Sequence, residues 1–322
     1  MNKMENLMAV NEGTQGIIGK FFYYSTSRIL IDKQKFIETG MAFGFPKYKP
    51  AKESKAGAYR NATTAVKDRV VVRDAAGQHI YRIYFRDNKK ENENYIYREL
   101  VKETLGTKTN EYTKLANVIF DKKNETVYTE GEIADLDVDV ASYCRKAEEL
   151  FDIYCNCYST DQVESVIIDQ LDRMQANKIS IHGNLYFVPN QYLPLLNVLE
   201  DYIEAISKYN LNDGVVMSNS MFVVDDERQR RKMKEEFYTN YKRDIEFYGK
   251  RIQNFIDNGC NSNAVIDRWI KKISALKQKK SIYEEALKQQ LDDLNSDYRM
   301  LEMQSNELLV RNRMQMPIST AA

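Results

Sequence analysis

The C-terminal third of the chain carries two long stripes of apolar residues at helical spacing, and this pattern most narrows the possible folds. The first stripe runs from Met233 to Phe255 in steps of three or four residues, and the second runs from Trp269 to Leu308 in steps of three, four or seven. Such spacing keeps one apolar face along a helix. Gly259, between the stripes, suits a helix end. The sequence therefore predicts a long antiparallel helical hairpin, a coiled coil over residues 225–314.

The two predicted arms differ in length. At a rise of about 1.5 Å per residue, the first arm is about 45 Å long and the second about 75 Å, so about 20 residues of the second arm have no partner on the first. Four leucines of the second arm then need a neighbour that covers them, and they form the candidate protein-interaction site: Leu287, Leu294, Leu301 and Leu308. The neighbour is the body of the same chain, a second copy in a homo-oligomer, or a partner protein.

The N-terminal part, residues 1–130, is expected to be β-rich. The segments 69–73 and 79–86 flank a turn that contains Gly77, and alternation predicts that the second segment places Ile80, Arg82 and Tyr84 on one face and Tyr81, Ile83 and Phe85 on the other. Alternation around a turn that contains glycine is typical of a β-hairpin. We expect an antiparallel meander with helices on one face.

The remaining segments complete an α+β fold. Residues 131–224 mix helical periodicity with short strands and are expected to form an α+β domain. Residues 225–314 form the predicted helical hairpin, and residues 315–322 are expected to be a disordered tail.

Charge and composition limit the possible partners. The chain has 47 basic and 47 acidic residues, whereas proteins that neutralise nucleic-acid phosphates usually carry a basic excess. No run of about 18 apolar residues predicts a membrane span, and the N-terminus lacks the basic start and apolar core of a signal peptide. Four scattered cysteines are typical of reduced thiols. The expected location is the cytoplasm, without membrane binding, and nucleic acid is a less favoured partner than protein.

Residue types that support catalysis are scarce. The only histidines are His79 and His182, in different predicted strands. The segment 13–20 resembles a phosphate-binding loop but has Thr14 where glycine is needed and Phe21 where serine or threonine is needed. The Cys155 and Cys157 pair has no second pair at zinc spacing. We therefore predict no catalytic residue, metal or cofactor, and a protein that is not an enzyme.

Two acidic clusters keep a metal-dependent hydrolase as a remaining alternative. One cluster is Asp135, Asp137 and Asp139, and the other is residues 225–227 (Asp-Asp-Glu). A two-metal site needs carboxylates that converge in space. Both clusters lie at predicted helix starts, where acidic residues complement the helix dipole, so the structural interpretation is preferred.

A basic run is the best candidate for nucleic-acid contact. Its members are Arg228, Arg230, Arg231, Lys232 and Lys234. Acidic residues flank the run on both sides, which favours a solvated helix face. The order of elements over residues 138–188 also matches a winged helix, but the helix that would read DNA carries four acidic residues against Arg173.

Short motifs indicate a relationship. The segment Gly183-Asn-Leu-Tyr-Phe-Val-Pro189, the helix and strand after it, the coiled coil, and residues 58–63 together resemble a family of uncharacterised proteins of phages, plasmids and their hosts. The resemblance covers about residues 50–260 and implies a mobile-element origin and no known catalytic residue. The preferred hypothesis is a non-catalytic protein that binds host or self proteins, one version being an oligomeric inhibitor of a bacterial defence complex. The alternative is a nucleic-acid-associated accessory protein of replication or repair.

Overall fold

A computed structural model describes residues 16–45, 54–74, 77–88, 92–105, 111–179, 183–259 and 262–315. The fold is α+β, as predicted. Its strands are β1 (Ile17–Thr26), β2 (Leu30–Asp32), β3 (Lys67–Asp74), β4 (Gly77–Asp87), β5 (Tyr95–Leu105), β6 (Glu111–Asp121), β7 (Thr126–Glu130), β8 (Cys157–Ser159), β9 (Asn177–Lys178), β10 (Leu185–Pro189) and β11 (Val216–Val224). Its α-helices are α1 (Lys33–Ala42), α2 (Lys55–Ala65), α3 (Val140–Asn156), α4 (Thr160–Arg173), α5 (Leu193–Ser207), α6 (Glu227–Asn258), α7 (Asn263–Leu287) and α8 (Leu294–Gln315).

The chain forms two compact units whose boundaries differ from the predicted domains. The sheet unit comprises residues 26–166 and 205–216, and the helical unit comprises the described residues of 1–25, 167–204 and 217–322. The boundaries predicted at residues 130 and 224 are therefore replaced by a division that interleaves the two units along the chain. The disordered tail predicted for residues 315–322 lies, apart from residue 315, outside the described residues.

The sheet unit contains the predicted antiparallel meander. Strands β3 to β7 pair in chain order, and α2 and α3 pack on one face, where Tyr59, Ile83 and Phe120 belong to a single apolar core. Each helix starts at a predictable cap: the Ser54 side chain accepts a hydrogen bond in the first turn of α2, and the Asp139 side chain does so in α3. The predicted alternation of β4 is confirmed, because Ile83 and Phe85 are buried.

The helical unit includes a second sheet, with the strand order β11-β1-β10-β9. The strand β1 pairs antiparallel with β10, with Phe21 opposite Phe187. This strand lies within the part of the chain, residues 1–130, that was expected to form the meander, but it belongs to a different sheet. The partner lies more than 160 residues away along the chain, where local alternation carries no information about pairing.

Three helices, and not two arms, complete the helical unit. Gly259, with φ of 74°, ends α6, and α7 returns antiparallel, so that Tyr283 stacks on Phe237 with ring centroids 4.1 Å apart. The second predicted arm then breaks at Lys288, which adopts a left-handed backbone with φ of 51°. Helix α8 runs parallel to α6, since the contact of Lys242 with Asp297 recurs seven residues later between residues 249 and 304. The excess length is a third helix that folds back.

Candidate nucleic-acid interface

The five-stranded sheet has a second face, here called the outer face, that is opposite α2 and α3. Cross-strand register fixes its members: Arg82 lies opposite Glu103, and Tyr84 lies opposite Val101. Because neighbours in register point to the same side of a sheet, these four residues share the outer face. Within the described residues of the sheet unit, no helix packs on this face.

Five tyrosines lie on the outer face: Tyr84, Tyr95, Tyr97, Tyr112 and Tyr128. Tyr97 is opposite Ile119, and Ile119 is opposite Tyr128, so two rings flank one isoleucine that is only 1% exposed. The rings of Tyr95 and Tyr97 are 6.2 Å apart. Tyr112, at 49% exposed, is the most open, and the Arg86 guanidinium lies 5.7 Å from its ring centroid. The face thus presents several partly exposed aromatic rings on a rigid support.

Cationic side chains lie beside these rings. On the outer face of strands β3 to β5, cationic side chains outnumber anionic ones. The Glu99 carboxylate accepts hydrogen bonds from Arg86 at 3.0 Å and Asn88 at 2.8 Å and lies 3.4 Å from the Lys114 ammonium. The Glu103 carboxylate, which is buried, lies 3.5 Å from Arg82. Both carboxylates are therefore already compensated within the sheet.

The edge strand β3 adds further positive charge. By register, Lys67, Arg69 and Arg73 lie on the outer face, opposite Tyr84, Arg82 and Gln78. Lys67 and Arg69 are exposed. Among the residues that the structure describes, none of the three basic side chains forms an ion pair. Their charge remains available to a ligand that carries phosphates.

Two of the outer-face tyrosines, Tyr84 and Tyr128, have a raised pKa and keep their protons at neutral pH. Desolvation, and then the Glu103 carboxylate, raise the pKa of Tyr84 above its usual value of 10.0. Desolvation and then the Glu130 carboxylate raise the pKa of Tyr128 in the same direction. Neutral phenol rings can stack on bases without adding negative charge to the surface.

The predicted interaction leucines are not on a surface. Leu287 and Leu294 are 0% exposed, Leu301 is 1% exposed and Leu308 is 3% exposed, and all four belong to the core of the helical unit. The prediction that they form a protein-interaction site is therefore wrong. The turn at residues 288–293 folds their helix onto α6 and α7, so the chain itself covers them.

The basic run lies in the first two turns of α6, in the helical unit. Arg230 is partly neutralised, since its Nε donates to Asp225 at 2.5 Å. Arg228, Arg231 and Lys232 are exposed, and Lys234 is half-buried. Among the described residues, no aromatic ring lies over these cations, whereas the Arg86 guanidinium lies over the Tyr112 ring on the outer face.

The acidic clusters have structural roles within the described chain. The Lys102 ammonium donates to Asp135 at 2.9 Å and to Asp137 at 2.8 Å, and the Asp139 side chain caps α3. Asp225 binds Arg230 and Lys288, and Asp226 caps α6. In the described ranges, no group of three or more His, Cys, Asp or Glu side chains is arranged to hold a metal ion.

The remaining candidates are also accounted for. Burial raises the pKa of the Cys157 thiol to about 11, which keeps it protonated. The Cys155 carbonyl accepts a hydrogen bond from Lys33. His79 stacks beside Tyr81 on β4, while His182 and residues 13–15 lie outside the described residues. No helix in the described part of the chain is long and apolar enough to cross a bilayer.

Sequence reasoning missed the outer-face tyrosines. The chain has 22 tyrosines, and the alternation of β4 did assign Arg82 and Tyr84 to one face. The neighbouring strands carry the same signal at alternate positions, as Tyr95 and Tyr97 show. The alternation within each strand does not give the register between strands, and this register brings the tyrosines together on one surface.

Comparison with known proteins gives the family but no activity. The family of unknown function DUF6744 matches residues 17–316, which is most of the chain. The chain belongs to the DUF6744 family. No curated protein matches this DUF6744 chain, and no solved structure matches it.

Proposed function

We propose that this DUF6744 protein is a non-catalytic accessory protein that binds single-stranded nucleic acid across the outer face of its five-stranded sheet. The observation that carries the proposal is the set of five tyrosines beside basic side chains on one sheet face, on which no helix of the described sheet unit packs. Aromatic platforms within positively charged surfaces are the usual means of binding single strands without sequence preference. Sheet faces that carry aromatic residues also bind RNA in this way.

The geometry suggests how each part contributes. Tyr97 and Tyr112 offer rings on which bases can stack, and Arg86 already adopts a stacked position over Tyr112. Arg69 and Arg73, which form no ion pair with any described residue, lie on the edge strand, where a phosphate backbone can reach them. Binding of this kind is expected to tolerate many sequences and to weaken with salt.

Fluorescence anisotropy with a labelled oligonucleotide of about 16 nucleotides tests the proposal. Tyr112→Ala removes an exposed ring and is expected to weaken binding by about tenfold, because one stacked base contributes about 1–3 kcal/mol. The control Tyr112→Phe keeps the ring and is expected to bind nearly as the wild type does. Wild-type protein that fails to bind at low salt, or Tyr112→Ala protein that binds unchanged, would contradict the proposal.

The basic run supplies a matched comparison. Arg231→Gln changes an exposed cation of α6, which the proposal leaves outside the site. We expect it to leave oligonucleotide affinity within about twofold, whereas Arg69→Gln on the outer face weakens it. If Arg231→Gln weakened oligonucleotide binding and Arg69→Gln did not, the contact would lie on α6, as the sequence-based hypothesis proposed.

Protein binding is a second candidate, supported by the edge strand β11. Four of its apolar side chains are about half exposed: Met217, Met221, Phe222 and Val224. In the described chain, β11 forms the outer edge of its sheet. Exposed apolar edges are templates for pairing with another strand. An antiparallel pair of two β11 strands would be symmetric, which suits a homodimer.

Light scattering tests this second candidate. Met221→Lys introduces a charge at an exposed position and is expected to convert a dimer into a monomer. Met303→Lys on α8, which is also exposed, is the control and is expected to leave the dimer unchanged. A wild-type protein that is monomeric at high concentration would contradict this second candidate.

A mobile-element origin, a cytoplasmic location and inhibition of a defence complex stay predictions of the sequence.

A further inference from the structure

A cleft in the sheet unit contains none of the outer-face tyrosines in its lining, although it shares Lys67 with that face. Its volume is about 740 Å³, and it lies beside the end of α2, the second half of α3 and the loop at residues 212–213. Its apolar wall is formed by Ile29, Leu150 and Tyr154. A cleft of this size accommodates a ligand as large as a nucleotide.

Three cations from three different elements line the cleft. They are Arg28 after β1, Lys67 at the start of β3, and Lys146 on α3. Within the described chain, none of the three forms an ion pair, although many other basic side chains of this unit do. Unpaired cations that converge on one concave site favour an anionic ligand.

Carboxylates also lie near these cations. Asp68 accepts a hydrogen bond from the Tyr143 hydroxyl at 2.7 Å, and that bond is the largest of the effects that lower the pKa of Asp68, with Lys146 adding a smaller one. Asp161 and Asp213 also line the cleft. A ligand that satisfies the whole site therefore combines an anionic group with hydrogen-bond donors.

The backbone holds this arrangement in place. Arg28 adopts a left-handed backbone with φ of 48°, and hydrogen bonds fix both of its neighbours: the Ser27 N–H donates to the Val215 carbonyl at 3.0 Å, and the Ile29 N–H donates to Thr160 Oγ1 at 3.1 Å. Such a conformation persists only where the surroundings determine it.

One asparagine anchors the loop that contributes Asn212 and Asp213 to the cleft. Asn210 accepts a hydrogen bond from the Leu30 N–H at 2.8 Å and donates to the Gly214 carbonyl at 2.9 Å. Gly214 approaches the Ser27 carbonyl so closely that any side chain would clash with it. Asp213 is therefore presented to the cleft by a short and constrained loop.

We infer that this cleft binds a nucleoside phosphate. The phosphate group would lie against Arg28, Lys67 and Lys146, where charge-assisted hydrogen bonds are strong. The carboxylates of Asp161 and Asp213 would accept hydrogen bonds from ribose hydroxyls or a base amino group, and the base would lie against Tyr154. The ligand is either a free nucleotide or the phosphorylated end of a strand, since both carry the same chemical group.

Isothermal titration calorimetry of the full chain with AMP, ATP, adenosine and inorganic phosphate tests the inference. We expect nucleotides to bind more tightly than adenosine or phosphate alone. Lys146→Gln is expected to weaken nucleotide binding by about tenfold, because it removes one charged contact. Arg145→Gln, the adjacent exposed cation on α3 that does not line the cleft, is the matched control and should leave binding unchanged.

A second arm distinguishes the two sources of the ligand. Tighter binding of a 5′-phosphorylated oligonucleotide than of its 5′-hydroxyl form, abolished by Lys146→Gln, would identify a strand end. Nucleotide binding without that difference would identify a free nucleotide. No binding of either, or binding that Lys146→Gln leaves unchanged, would overturn the inference. Tyr112→Ala should not affect nucleotide binding, so failure of this inference is separable from failure of the proposed function.

Discussion

Single charged side chains in this protein mostly hold elements together. Asp225 illustrates this at the start of α6: it binds Arg230 at 2.5 Å and Lys288 at 2.8 Å, and its side chain is only 12% exposed. The Lys288 hydrogen bond, followed by Arg230, lowers the pKa of Asp225 below 3.8. An acidic cluster that the sequence left open as a metal site is thus a link between α6 and the turn after α7.

Asp225→Asn is expected to lower the free energy of unfolding by about 2 kcal/mol at pH 7, because two cations lose a charged partner. A carboxyl with a lowered folded-state pKa stabilises the fold above its unfolded value of 3.8 and loses that contribution as the pH falls through the folded-state value. The difference between variant and wild type should therefore shrink below about pH 4. Urea denaturation across pH measures it.

Asp226→Asn provides the control for that experiment. Asp226 caps α6, and asparagine caps a helix about as well as aspartate does, so the stability should change by less than about 0.5 kcal/mol. Equal effects of the two variants at pH 7 would contradict the assigned role of Asp225.

Individual contacts of this kind could be predicted only where they are local. The caps formed by Asp32 and Asp139 follow from a polar residue before an apolar stripe. The bond between Lys102 and Asp135 joins residues 33 positions apart, and no sequence period reports it. The cleft cations at positions 28, 67 and 146 were missed for the same reason, because only the folded chain brings them together.

At the scale of elements, helix ends decide the architecture of the helical unit. Two of these ends use a left-handed residue that is not glycine: Lys288 after α7 and Gln175 after α4. Left-handed conformations favour glycine or asparagine, so neither end carries the usual sequence signal. The apolar stripe continues across residues 287, 291 and 294 with helical spacing. Because a continuous helix and a broken helix give the same apolar pattern here, the sequence did not predict the break.

Gln175→Gly tests the helix-end argument. Glycine relieves the left-handed strain, and we expect the free energy of unfolding to rise by about 0.5–1 kcal/mol. Gln253→Gly, at an exposed position in the penultimate turn of α6, is the matched control and should lower it by about 1 kcal/mol. Thermal denaturation of both variants measures the difference, and a loss of stability in Gln175→Gly would contradict the argument.

Leu301→Ala tests the position of α8. Because Leu301 is 1% exposed in the core of the helical unit, its truncation should lower the free energy of unfolding by about 2–5 kcal/mol. Met303→Ala, on the same helix with 64% exposure, should change it by less than about 0.5 kcal/mol. A stable Leu301→Ala protein that has lost only a binding partner would instead restore the interaction hypothesis for this leucine.

At the scale of the whole molecule, the net charge is zero, but the positive and negative side chains are distributed unevenly. The outer face gathers Lys67, Arg69 and Arg73 with the rings of Tyr84 and Tyr112, while much of the acidic charge is used in caps and ion pairs. The α+β class and most helix and strand positions could be predicted from periodicity. The two interleaved units could not, because chain order does not report which distant strands pair.

The salt dependence of oligonucleotide binding should report this separation. The logarithm of affinity is expected to fall linearly with the logarithm of salt concentration, with a slope of about 0.7 for each phosphate contact on a single strand. The double variant Arg69→Gln/Arg73→Gln should reduce that slope by about 1.4. Arg228→Gln/Arg231→Gln, which alters α6 by the same charge, should leave the slope unchanged.

The most direct test of the central claim is to map where a bound strand touches the protein. Photo-crosslinking of an oligonucleotide that contains 4-thiouridine, followed by mass spectrometry, identifies the contacted peptides. We expect cross-links on β4, β5 and β6, at Tyr84, Tyr97 or Tyr112. Cross-links confined to residues 228–234 of α6, or the absence of cross-links at low salt, would contradict the account.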